Sequence, residues 1–91
     1  MDEKILTKHP RGKRGVNISR EKYEVMRRAI LALLSKKALT HDELTAAVNT
    51  RLNGKFEGSI PWYMEATKLD LEAKRVIERV AGKGPATYRL R

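Results

Sequence analysis

The chain contains no cysteine, which excludes disulfide frameworks, thiolate nucleophiles and cysteine-ligated zinc or iron–sulfur sites. Its two histidines, His9 and His41, are too far apart for an HxxxH or HExxH pair, so neither a metal site nor a cofactor is expected. Aromatic residues are few, namely Tyr23, Phe56, Trp62, Tyr63 and Tyr88, and this leaves out the aromatic-rich sheet on which unpaired RNA bases stack. No apolar run reaches the length of a signal peptide or membrane span. A cytoplasmic protein without a membrane partner is therefore expected. Acids are scarce too: eleven against twenty Lys and Arg, for a net charge of +9.

What remains is a chain of 91 residues, 41% apolar. That is enough for one modest core but not for a deep catalytic cleft. The charge is unevenly placed. Residues 8 to 37 hold ten Lys/Arg against Glu21 and Glu24, residues 38 to 74 hold four against six acids, and residues 75 to 91 hold five against Glu78. Both ends are basic and the middle is not, a distribution that favours a polyanionic partner, above all nucleic acid.

Residues 1–19 form a first segment, in which Pro10, Gly12 and Gly15 punctuate β-prone pieces around Ile5 and Ile18. The pattern fits either a basic arm or a loose hairpin with "HPRGKRG" at its tip. Ser19 then caps an amphipathic helix predicted over 20–36, with Tyr23, Met26, Ile30, Leu33 and Leu34 on one face. Thr40 to Glu43 is a capping-box spacing that starts a second helix running to about Leu52, stopped by Asn53-Gly54. A third helix is capped by Ser59, tolerates Pro61 in its first turn and ends near Lys74. Beyond it the period changes to two: "RVIERV" and "ATYRLR" read as a hairpin joined by "AGKGP", with a short "ALT" at 38–40 able to add a strand.

This order, three helices followed by a C-terminal β-hairpin, resembles a winged helix-turn-helix domain, here over residues 20–91. The stretch "LEAKRVIERV", 71–80, is similar to the L-E-x-x-G-L-I-E-R passage from recognition helix to wing in many bacterial regulators, and Tyr88 to Leu90 is similar to the last wing strand. Arg75 stands where those families place glycine, so it must adopt another geometry or bear strain. The whole chain is also similar to a small group of bacterial proteins classed as a domain of unknown function. The resemblance implies an α+β fold and DNA binding through the third helix and the wing, as in a transcriptional regulator.

The third helix complicates that expectation. At about 100° per residue, Ile60, Met64, Thr67 and Leu71 form one apolar stripe, and Trp62, Ala66, Leu69 and Ala73 form another on nearly the opposite side. Glu65, Asp70 and Glu72 would repel phosphates, and only Ser59, Tyr63, Lys68 and Lys74 offer polar contacts. The second stripe is expected to be covered by Val16 and Ile18 or by Phe56, in preference to forming a homodimer or partner interface through Trp62, Ala66 and Leu69. The candidate DNA-binding residues are then Arg11, Lys13 and Arg14 in the arm, Ser59, Tyr63 and Lys68 on the helix, and Arg79, Lys83 and Arg89 in the wing. "PRGKRG" is similar to the Arg-Gly-Arg core of minor-groove arms, although a solvated basic loop is the simpler account.

No enzyme is expected. "RGKRG" lacks the spacing of a P-loop, and no Gly-x-Ser-x-Gly elbow accompanies Ser19, Ser35 or Ser59. Asp42 and Glu43 suit the first turn of a helix without any acid–base role. The reading is a DNA-binding winged-helix protein that grips double-stranded DNA mainly by its phosphates through wing and arm. The alternative is a protein-interaction or dimerisation module built on the Trp62, Ala66 and Leu69 stripe.

Overall fold

The β-prone pieces at the N-terminus pair with each other: β1 (Lys4–Leu6) runs antiparallel to β2 (Asn17–Ser19), with Ile5 opposite Ile18. The computed structural model describes residues 3–91; Met1 and Asp2, the first residues of the N-terminal segment, lie outside them. Of the two alternatives for this segment, the hairpin forms. Its ladder extends at both ends, Arg20 N–H donating to Glu3 O at 2.7 Å and Thr7 N–H to Val16 O at 2.9 Å. The loop reverses through a turn in which Gly12 N–H donates to His9 O at 3.0 Å, with Pro10 in the position that favours its fixed φ and Gly12 at φ 73°. Gly15 is required by proximity: a Cβ there would lie 1.8 Å from the Thr7 carbonyl oxygen.

Helix α1 (Arg20–Leu34) begins where Ser19 Oγ accepts the Lys22 N–H, and buries Tyr23, Met26, Ala29, Ile30 and Leu34. It stops two residues before the expected end at 36. Ser35 folds its hydroxyl back onto Ala32 O at 2.7 Å, and Lys36 N–H tightens onto Leu33 O, closing the last carbonyls in a turn instead of a further helical turn. Strand β3 (Leu39–Thr40) leads into α2 (His41–Leu52), whose capping box is complete: Glu43 N–H donates to Thr40 Oγ1 at 3.1 Å and Thr40 N–H to Glu43 Oε1 at 2.9 Å. The Thr40 amide holds the Glu43 carboxyl below its usual range; burial opposes it, and the Thr40 hydroxyl and the charge of Lys37 add to the lowering.

Helix α3 (Ile60–Ala73) is capped by Ser59 and places Ile60, Met64, Thr67 and Leu71 in the core. Strands β4 (Ile77–Val80) and β5 (Thr87–Leu90) form the C-terminal hairpin, and β3 adds to its other edge to give an antiparallel sheet in the order β3-β5-β4. The first strand of this hairpin starts at Ile77 because Arg75 and Val76 are used to end the helix. Arg75 N–H donates to Glu72 O at 3.1 Å and Val76 N–H to Leu71 O at 2.9 Å, while Arg75 itself sits at φ 61°. That is a Schellman ending with arginine in the left-handed position that glycine ordinarily occupies.

The core is shared by all three helices and the sheet, with Met26, Ile30, Leu44, Val48, Met64, Leu71 and Ile77 fully buried. The fold is α+β, three helices with two small antiparallel sheets. Among the described residues no helix is long and apolar enough to cross a membrane.

Candidate functional site

Helix α3 is held on both flanks. On one, its Asp70 is fully buried and accepts the Lys8 backbone N–H at 2.8 Å and the Tyr23 hydroxyl at 2.5 Å, while Lys74 Nζ lies 2.9 Å from the same carboxylate. One carboxylate thus joins the N-terminal hairpin, α1 and α3. Burial first, then the hydrogen bond and charge of Asp70, push the Tyr23 hydroxyl pKa up. For Lys74, burial opposes the charge, but the hydrogen bond and Coulomb attraction of Asp70, with a further contribution from Tyr23, outweigh it, and its pKa is raised. On the other flank Lys68 is buried, its Nζ 4.0 Å from the centre of the Tyr88 ring in β5, a cation–π contact.

Several of the candidate DNA-binding residues are engaged within the fold. Lys68 is withdrawn from the outer face of α3 because its long stem packs in the core margin and its ammonium rests on Tyr88. Tyr63 is half-buried in an aromatic cluster, edge-on to Phe56 at 5.2 Å and to Trp62 at 4.9 Å, with Lys22 Nζ 5.1 Å from its ring centre. Ser59 is engaged as the helix cap, accepting the Trp62 N–H at 3.3 Å. Arg89 forms a 2.6 Å ion pair with the directly opposite Glu78. Arg11, Lys13 and Arg14 in the loop of the N-terminal hairpin, and Arg79 and Lys83 in the C-terminal hairpin, are exposed and have no ion-pair partner among the described residues.

The second stripe of α3 faces the N-terminal hairpin. Val16, Gly15 and Thr7 stand opposite Trp62, Ala66 and Leu69 across a cleft of about 160 Å³. Cover comes from Val16 as expected, but Ile18 is buried without lining the cleft and Phe56 lies against Tyr63 instead. The cover is incomplete, and Trp62 remains 47% exposed.

The model of a family of unknown function, DUF6958, matches residues 4–88, from the first residue of β1 to Tyr88 in β5. The chain belongs to this family. A DUF6958 unit so bounded contains the hairpin as well as the helices and the sheet, in keeping with the Asp70 contacts that bind the hairpin to α1 and α3. No curated protein and no solved structure matches the chain significantly.

Nothing in the sequence marks Asp70 as a key residue, since it is one of three acids spread over the two flanks of the third helix. Its signal, read afterwards, is the i,i+4 spacing to Lys74 together with a position between the two apolar stripes.

Proposed function

We propose that this DUF6958 chain is a winged-helix module that binds double-stranded DNA through its phosphates, using the hairpin loop and the wing and not the outer face of α3. The observation that carries the reading is a set of five exposed cations without an ion-pair partner among the described residues: Arg11, Lys13 and Arg14 in the loop of the N-terminal hairpin, and Arg79 in β4 and Lys83 in the turn after it, on two hairpins packed against α3. The order α1, β3, α2, α3, β4, β5 and the sheet order β3-β5-β4 support the winged-helix assignment. The outer surface of α3 argues against base reading, since it presents Glu65 and Trp62 and is overlain by the hairpin. Such a protein would act with little sequence preference of its own.

The test is fluorescence anisotropy of a labelled random duplex across a range of salt. Log affinity is expected to fall with log salt at up to about −4.5, which is five phosphate contacts at about −0.9 each. Replacing Arg11, Lys13 and Arg14 by Ala should make that slope shallower by up to about 2.7. Absence of binding at low salt would overturn the reading.

A second reading, a protein-interaction or dimerisation surface, is favoured by one observation: Trp62 is half-exposed beside Ala66 and Leu69. It requires that Trp62→Ala convert a dimer to a monomer in sedimentation. A wild-type monomer at high concentration would exclude the homodimer.

A further inference from the structure

The cleft between the hairpin and α3 has the construction of a small-ligand site. Its floor and walls are apolar, formed by Ala66, Leu69, Trp62 and Val16, while Lys8 and Arg14 stand at its rim. Its volume of about 160 Å³ is close to that of an engineered apolar cavity of about 150 Å³ that takes up benzene. Both walls are fixed before any ligand arrives: one by the Lys8 N–H bond to Asp70, the other by the Thr7–Val16 hydrogen bonds and the close approach of Gly15 to Thr7. Pre-formed apolar pockets with a few polar groups at the edge are the common form of ligand sites.

The rim selects the charge. Neither Arg14 nor Lys8 has an ion-pair partner among the described residues. His9, also at the cleft, accepts the Arg11 N–H at Nδ1 (3.1 Å), so its neutral ring carries the proton on Nε2 and offers a donor. Among the described residues lining the cleft, Glu65 is the one acid that stands against these. We propose that the cleft binds a small organic carboxylate with an apolar body, the ring or branched chain lying on Ala66 and Leu69 and the carboxylate meeting the Arg14 guanidinium in a planar fork. This inference does not depend on DNA binding, and its test contains no nucleic acid.

Trp62 is the sole tryptophan and lines the cleft, so its emission reports occupancy directly. The full chain would be titrated at constant ionic strength with sodium benzoate, sodium acetate and benzylamine hydrochloride. Benzoate should give a saturable change with a millimolar or tighter Kd, and acetate and benzylamine should each bind at least about tenfold more weakly, the first lacking the apolar body and the second the charge. Arg14→Ala should weaken benzoate about tenfold and Arg14→Lys less, because a lysine keeps the charge and loses the fork. Ala66→Phe, which fills the cleft, should abolish the response while the far-UV circular dichroism stays unchanged. As a check independent of that variant, amide shifts in the wild-type protein should move with benzoate at residues 7–16 and 62–69. A non-saturable benzoate response, equal affinity for benzylamine, or an unaffected Arg14→Ala variant would each overturn the proposal and leave the cleft as a packing gap.

Discussion

The Asp70 carboxylate in α3 accepts the backbone N–H of Lys8, 62 positions away in sequence, at 2.8 Å. With the Tyr23 hydroxyl and Lys74 ammonium on its other oxygen, it is a buried charge satisfied from three directions. The hairpin loop that carries Arg11, Lys13 and Arg14 is therefore anchored at its base, and the cleft beside it keeps its shape.

Removing that carboxylate should loosen the hairpin first. Asp70→Ala leaves the Tyr23 hydroxyl and the Lys74 ammonium without their partner, and a cost of about 3–5 kcal/mol is expected in denaturant unfolding, the range for breaking a buried charged network. Hydrogen exchange should accelerate at the Lys8 amide and along β1 and β2 before it does so in α2. Uniform acceleration across the chain would mean that the network supports the core and not the hairpin.

The same network sets the alkaline limit. Tyr23 and Lys74 both have folded pKa values above the ordinary values of 10.0 and 10.5 for these side chains, so the folded state holds those protons more tightly than the unfolded one. Their contribution is complete below the unfolded pKa values and is lost as pH rises through the raised folded ones. Thermal stability should fall above about pH 10, and Tyr23→Phe should flatten that fall. At neutral pH the same variant should cost about 1–2 kcal/mol for the lost hydrogen bond to a charged acceptor.

Arg75 occupies a left-handed position at φ 61° without a side chain suited to it. Arg75→Gly should stabilise the protein by about 1 kcal/mol, the scale of the left-handed penalty for a residue with a Cβ. Equilibrium unfolding of the two proteins measures this. A destabilised glycine variant would show that the arginine side chain supplies contacts exceeding the strain.

Gly15→Ala should cost about 1–3 kcal/mol, because the added methyl meets the Thr7 carbonyl and the strands must separate to admit it. Its thermal midpoint, set beside that of Gly82→Ala, is the check; a Cβ at Gly82 meets nothing within 4 Å.

Lys68 and Lys83 separate packing from phosphate contact. Lys68→Ala should lower stability by about 1 kcal/mol through the lost stack on Tyr88 and leave the salt slope of DNA binding unchanged. Lys83→Ala, in the exposed turn between β4 and β5, should leave stability unchanged and make the slope shallower by about 0.9.

Much of this was legible in the residues. Ser19, Thr40 and Ser59 announced three helix starts, since a side-chain oxygen three residues before a free amide is a local arrangement that needs no tertiary partner. The change of period after Lys74 announced the hairpin, and "ALT" its third strand. The candidate site was less legible. Lys68 was one more exposed-looking cation until Tyr88 from β5 closed over it, and Arg89 was a free guanidinium until the register placed Glu78 opposite it.

By itself the sequence determined the elements, their order and the surplus of positive charge, because caps, periodicity and composition act over a few residues. Only the tertiary structure decided that the N-terminal segment is a hairpin docked on α3, that Asp70 is its anchor, and that Lys68 and Arg89 are engaged while Arg11, Lys13, Arg14, Arg79 and Lys83 stay exposed without an ion pair among the described residues. Those outcomes depend on which side chains meet across tens of residues, and a buried carboxylate takes whatever donors the packed chain brings to it.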